Sequence, residues 1–476
     1  MAPEPSTRPA WSVRVNSDEP KTSATARPPP TSFRDTLRHL GPGLIVTACI
    51  VGSGELIATT KLGAQAGFVL LWLILLGCVV KVFIQVELGR YSISEGRSTL
   101  EAMNQLPGPR WIVSWILWLW LFMYVAVVFQ VAGIAGGIAQ VFTTLDLGWS
   151  EPTWVVVVSI SCAALLLFGR YRLVERLSIS MVALFTLCTI GAALQLQGTE
   201  FRITSAEIWS GLDFSLPRDS VAIAFAAFGI TGVGATELIY YPYWCLEKGY
   251  ARFVGERDDT PEWTVRAKGW VHVMKIDAWV SMVVYTVATV AFYLLGAAIL
   301  HRQGKEVEGS DLIPTLSTMY SETFGANGLW IFLIGAFFVL YSTFFVGTAS
   351  NARLFADGLT LFKLVRYRTT SQRVVVVKIA SALIPAAAAT LFLFIGDPVL
   401  LVLTGAFAQA LMLPFLAFTA LYLVLFRTSP ALRPGKIWLT CLVVAFISIS
   451  ALTLYQFVNE NSKVREFLRL FVGGSP

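Results

Sequence analysis

Apolar residues run along this chain in blocks of about twenty, divided by short polar stretches. That alternation predicts membrane-spanning helices, each needing ~20 apolar residues to cross the hydrocarbon. Eleven such blocks are expected, at 42–64, 67–88, 111–141, 153–169, 178–195, 221–245, 273–300, 328–350, 374–395, 398–425 and 437–457. The third is long enough to tilt, and the fourth is short. Residues 1–32 break the pattern: they are rich in Pro, Ser, Thr and Arg and end in Pro28-Pro29-Pro30. Such a segment buries little apolar area, so a disordered tail is expected there, followed by a short basic helix over 32–40. No apolar stretch precedes residue 43, so the tail does not read as a signal peptide.

Composition agrees with the pattern. Hydrophobic residues make up 55% and charged residues 14%, where a soluble chain carries about 25% charged. The net charge of +6 belongs to loop cations that set orientation, so nucleic acid is not an expected partner. With the N-terminus on the cytoplasmic side, 25 Lys and Arg fall on that side against 8 on the other. This predicts a multi-pass protein of the cytoplasmic membrane, if bacterial, with an extracytoplasmic C-terminal tail at 458–476. The six cysteines lie in or beside apolar runs without a C-x-x-C pair, and the three histidines do not cluster. They read as packing residues, not metal ligands, and no catalytic triad or phosphate-binding loop is present. Neither an enzyme nor a cofactor is expected.

Within the spans one pattern repeats. The first holds Val51-Gly52-Ser53-Gly54-Glu55-Leu56, and the sixth holds Val233-Gly234-Ala235-Thr236-Glu237-Leu238, preceded by Gly232. Paired glycines invite a helix break. Unwound backbone survives in a membrane only where it lines protein or a cavity. Matched interrupted segments in two halves of a transporter point to its substrate site. The expected fold is therefore an all-α polytopic membrane protein, a LeuT-like five-plus-five inverted repeat with broken helices 1 and 6. Repeat one covers about 41–195, repeat two about 221–425, and an extra helix lies at about 437–457. Glu55 and Glu237 follow the breaks. A carboxylate at mid-membrane is costly without a partner, so each reads either as a cation ligand or proton carrier facing a central cavity, or as a cap on the unwound backbone.

The chain also resembles the Nramp divalent-metal transporters. The resemblance rests on Gly41-Pro42-Gly43-Leu44, on Gly63-Ala64-Gln65-Ala66-Gly67-Phe68 with Leu70-Leu71-Trp72, and on the run from Gln85 to Arg90. Glu95-Gly96-Arg97, Leu100-Glu101-Ala102, Lys378, Ile384-Pro385-Ala386 and Leu413-Pro414-Phe415 extend it, over roughly 36–457. The family implies a metal site made by D-P-G-N in the first span and M-P-H-N in the sixth. Here Gly52 and Glu55 stand for the aspartate and asparagine, and Gly234 and Thr236 for the methionine and histidine. The third span shows Gln130 and no acidic residue. Loss of the soft thioether favours a hard cation such as Mg²⁺ over Mn²⁺ or Fe²⁺, and loss of titratable groups argues against the usual proton coupling. Substrate contacts are expected from Glu55, Glu237, Gly52, Ser53, Gly54, Gly234, Ala235, Thr236 and Gln409, with Glu55 and Glu237 as the metal ligands. A LeuT-fold carrier of an organic cation or amino acid, and a cation sensor that never transports, remain open alternatives.

Other residues carry smaller expectations. Ser342, Thr343, Thr348, Ser350 and Asn351 make the eighth span polar, either as interhelical glue or as part of an ion site. Arg353 is expected to pair with Asp357, and Lys378 with Glu87. Lys275 and Asp277 are expected to reach toward the membrane surface. Thr260 and Pro261 should start a short interfacial helix carrying Trp263 and Trp270.

Overall fold

The structure is a computed structural model that describes residues 26–168 and 171–459; of residues 171–179, 181–182, 326 and 457–459 only the backbone is described. Among the described residues the regular structure is helical, apart from a two-residue antiparallel ladder that pairs Arg110–Trp111 with Val113–Ser114. Ten helices among the described residues are long and apolar enough to cross a membrane. They occupy every expected span except the fifth, which lies in the helix Tyr171–Gln195. A helix satisfies its own backbone, which is why the apolar blocks take this form. This is an integral, multi-pass membrane protein.

Packing sorts the spans into centre and periphery. The apolar stretch of the first span, Pro42–Ala66, is 94% buried and that of the sixth, Arg218–Lys248, is 89% buried, against 22% for the fourth and 17% for the eleventh. The two spans with the repeated motif are thus the innermost. The third and tenth spans pack along each other, as do the second and seventh.

The sixth span breaks where the glycines predict. Its halves are Val221–Ile230 and Ala235–Lys248, and residues 231–234 between them are not helical. Gly232 has φ +62°, a conformation that a side chain makes costly. A Cβ there would also stand 3.1 Å from Cys78 Sγ. The first span corrects the expectation of a second break. It stays helical and widens into a π-helix over Val51–Thr59. The hydroxyls of Thr59 and Thr60 donate to the carbonyls of Gly54 and Glu55, five residues back, at 3.0 and 3.1 Å. Its glycines serve close approach instead of unwinding. A Cβ on Gly52 would overlap Thr343, and one on Gly54 would lie 2.8 Å from the Ile230 carbonyl.

Several expected pairings fall elsewhere. Asp277 does not reach for the surface; it is buried and receives the N–H groups of Gly41 (2.8 Å) and Gly43 (2.6 Å) and the Tyr241 hydroxyl (3.0 Å). It thereby supplies the acceptor that the N-terminus of the first span lacks. The Gly-Pro-Gly opening makes room for it, because a Cβ on Gly43 would stand 2.8 Å from Asp277 Oδ2. Arg353 pairs with Glu247 (2.5 Å) and Asp357 with Arg373 (2.7 Å). Glu87 is held by Arg90 (2.8 Å) and Trp438 (2.7 Å), not by Lys378. No separate interfacial helix forms at Thr260. Pro261 opens one continuous helix to Leu295, with Trp263 and Trp270 buried.

The basic helix forms over Phe33–His39 with Ser32 as its cap. Residues 1–25 of the expected tail, and residues 460–476 of the C-terminal one, lie outside the described residues. The root of the N-terminal segment is anchored: the Arg27 N–H donates to the Phe253 carbonyl, and the Arg27 carbonyl accepts from Trp270 Nε1, each at 2.9 Å. A helix not read from the sequence, Leu312–Phe324, follows the seventh span in the chain and packs against the eighth, and also against the third span and the helix Tyr171–Gln195.

Candidate functional site

The site is built around the break in the sixth span. Its second half begins at Ala235 behind the cap residue Gly234, so the Thr236 N–H, in the first turn, would lack a helical partner. Gln409 Oε1, from the tenth span, accepts that N–H at 3.0 Å. From there a chain of side chains runs to the first span. Gln409 Nε2 donates to Gln130 Oε1 (2.7 Å), and Gln130 Nε2 donates to Ser53 Oγ (3.1 Å). Thr236 Oγ1 lies 2.8 Å from both Gln409 Oε1 and Glu237 Oε2, with one proton to share between them. Glu237 Oε1 accepts from the Cys49 thiol of the first span at 3.3 Å.

Four expected residues, Ser53, Thr236, Glu237 and Gln409, are therefore joined in one network, with Gln130 as the link. Ala235 opens the second half-helix beside them. Gly234 is necessarily small: a Cβ would meet Glu237 Oε2 at 2.5 Å and Gln409 Oε1 at 2.7 Å. Glu237 keeps a 7% exposed surface, as does Gln130. Its carboxylate sits in the first turn of a half-helix, where the helix dipole favours negative charge.

Glu55 stands at the other end of the break. It is fully buried, and its Oε1 accepts from the Gly232 N–H (3.0 Å) and from Thr289 Oγ1 of the seventh span (2.7 Å), while Oε2 has no hydrogen-bond partner among the described residues. Glu55 of the first span thus reaches into the break of the sixth, and Glu237 of the sixth reaches back to Cys49 of the first. Lys81, in the second span, was not singled out by sequence because one lysine in a long apolar run carries no pattern. It is fully buried, and its ammonium donates to the carbonyls of Phe228 and Thr231 (the latter at 2.7 Å) and lies 4.5 Å from the Phe228 ring centroid.

The eighth span supplies packing. Ser342 and Thr343 donate to the Ala48 carbonyl at 3.1 and 3.2 Å, and Ser350 accepts from Trp244 Nε1 at 3.1 Å. Among the described residues no three His, Cys, Asp or Glu side chains gather into a metal-holding cluster. What the network presents is one carboxylate with neutral hydroxyl and amide oxygens.

A multi-span bundle with a discontinuous inner helix and facing polar side chains is the arrangement in which transporter folds place their sites. The chain belongs to the natural resistance-associated macrophage protein-like (Nramp) family, whose model matches residues 43–459. The metal transporter Nramp6.2 of Populus trichocarpa is 31% identical over 166 residues, covering 33% of this chain and 29% of that protein. The chain therefore aligns with under a third of that relative's length. Among solved structures, the manganese transporter of Eremococcus coleocola superposes with a TM-score of 0.65 at 14% identity, covering 94% of this chain and 93% of the other. Mhp1, a nucleobase-cation-symport-1 family transporter, gives 0.56 at 13% identity, covering 88% and 92%. These likenesses establish a LeuT-type fold.

Proposed function

We propose that this protein is a secondary transporter of a small hard cation, Mg²⁺ in the simplest case, working without the family's usual proton coupling. The observation that carries the reading is the donor set at the break. Glu237, Thr236, Gln409, Gln130 and Ser53 offer oxygen, and Gly234 stands where the family has a methionine. Carboxylate, carbonyl and hydroxyl oxygens suit hard cations, and Mg²⁺ keeps several waters and needs only one or two carboxylates. Cys49 does not alter this balance, because a thiol donating its proton to Glu237 is not the thiolate that binds soft metals. Against proton coupling stand Gly52, Thr236 and Gln130, none of which titrates.

The test is flux into proteoliposomes. Mg²⁺ should enter and compete with itself, Mn²⁺ should not bind tightly, and metal entry should not acidify the lumen. Tight, saturable Mn²⁺ uptake with robust acidification overturns the reading. Uptake of a polyamine or amino acid in place of metal moves the cargo to an organic class. Saturable binding without flux makes the protein a sensor.

A further inference from the structure

In an unbroken helix the N–H of residue 232 would donate to the carbonyl of residue 228. Here that bond is open, and each half is held by a charged side chain from another span. The Gly232 N–H goes to Glu55, and the Phe228 carbonyl goes to Lys81. Lys81 also takes the Thr231 carbonyl (2.7 Å), the oxygen of the same peptide unit whose N–H is on Glu55. One peptide is thus gripped by a cation on its oxygen and a carboxylate on its hydrogen. Both charged groups are fully buried, and Thr289 from the seventh span steadies the carboxylate at 2.7 Å.

We propose that Lys81 and Glu55 act as a matched pair that props the sixth span open, with the Thr231–Gly232 peptide as the bridge between them. Lys81 is then a positioning residue, and one oxygen of Glu55, Oε1, is committed to the Gly232 N–H and to Thr289. The carboxylate left for cargo is Glu237, at the opposite end of the break. The last statement rests on the transport reading above; the pairing does not.

The physical case is one of desolvation. A buried ammonium or carboxylate without a partner is expensive, and removing one member of a buried pair strands the other. Ordinary caps need no charge, yet this break is held by one of each sign. Charge-assisted bonds are roughly twice as strong as neutral ones, so neither end closes spontaneously. The break is a standing feature of the fold and does not wait for cargo to open it.

A mutant cycle on the full-length protein in nanodiscs tests this. Lys81→Met and Glu55→Gln should each lower the thermal unfolding midpoint, and the double variant should lose clearly less than the sum. In the double variant the Gly232 amide should exchange hydrogen more slowly, because the helical bond can reclose. Turnover should fall in all three, and methylammonium should restore part of it to Lys81→Ala. Glu237→Gln should leave the midpoint near wild type and weaken Mg²⁺ binding, whereas Glu55→Gln should spare binding more than turnover. Additive losses of stability, or a Lys81→Met protein equal to wild type in stability, overturn the pairing. If no cation is transported at all, the stability and exchange arms still decide it, so the two proposals fail separately.

Discussion

Adding one methyl group at Gly234 should damage the cargo site more than the fold. The Cβ of Gly234→Ala would lie 2.5 Å from Glu237 Oε2 and 2.7 Å from Gln409 Oε1, against an ordinary contact distance of 3.4 Å. Relief requires those two oxygens to withdraw by 0.9 and 0.7 Å, the differences between these values. Both belong to side chains, and the third neighbour, the Gly229 backbone carbonyl at 3.2 Å, has only a few tenths of an ångström to give. Both also hold the break together, through Thr236 Oγ1 at 2.8 Å and the Thr236 N–H at 3.0 Å. Weakening two such bonds costs ~1 kcal/mol each, and where the bound cation needs both oxygens in their present places that ~2 kcal/mol is about 30-fold in binding. A displacement of ~1 Å among positioned groups costs on the order of 100-fold in rate. Mg²⁺ uptake by reconstituted Gly234→Ala should accordingly show apparent affinity reduced ~30-fold, with greater loss of flux at limiting Mg²⁺. Gly435→Ala is the control, since a Cβ there meets nothing within 4 Å. Wild-type affinity in Gly234→Ala would falsify the assignment of these two oxygens to the cargo site.

Further outcomes follow from the same structure. Asp277→Ala should lower stability by ~2–6 kcal/mol, because two buried N–H groups lose their acceptor at ~1–3 kcal/mol each; a change under ~0.5 kcal/mol in denaturant unfolding contradicts the capping role. Glu101, in the short helix Thr99–Met103 outside the spans, has its carboxyl pushed by burial from the ordinary range up to about 7. A folded-state pKa above the unfolded one means that stability is full at low pH and falls as pH rises through about 7. Glu101→Gln keeps the capping box with Ser98 and should remove that fall; an unchanged pH–stability slope rules the cause out. Cysteines placed one at a time near residues 250–270 should react with impermeant reagents only from the cytoplasmic side, and labelling from outside reverses the orientation.

How far the sequence carries the reader depends on how local the cause is. The spans were legible because desolvation of backbone acts on every residue of an apolar block. The break at 231–234 was legible because Gly232 and Gly234 lack a Cβ where φ is positive or space is short. The first span was misread because the same glycine signal has two outcomes. Gly52 and Gly54 answer the closeness of Thr343 and Ile230, which only the packed bundle creates. Of the expected site residues, Ser53, Thr236, Glu237 and Gln409 share a network, while Glu55 faces Gly232 and Thr289. Lys81 and Asp277 were missed or misplaced for one reason. Each serves a backbone group more than 140 positions away in sequence, and an isolated charge in an apolar run does not disclose its partner.

The widened turn of the first span is also a store of register. A helix wound with five-residue hydrogen-bond loops over Val51–Thr59 holds more chain per turn than an α-helix of the same length. Removing one residue there lets the winding relax to the α form and leaves the Pro42–Ile50 segment near its present register. The same deletion in the second span offers no such relaxation. Length variation among descendants of this chain should therefore be absorbed at 51–59. Each such event would shift the pairing of Ser53 with Gln130 while the flanking helix keeps its place, so the polar network can be retuned by a single codon gained or lost.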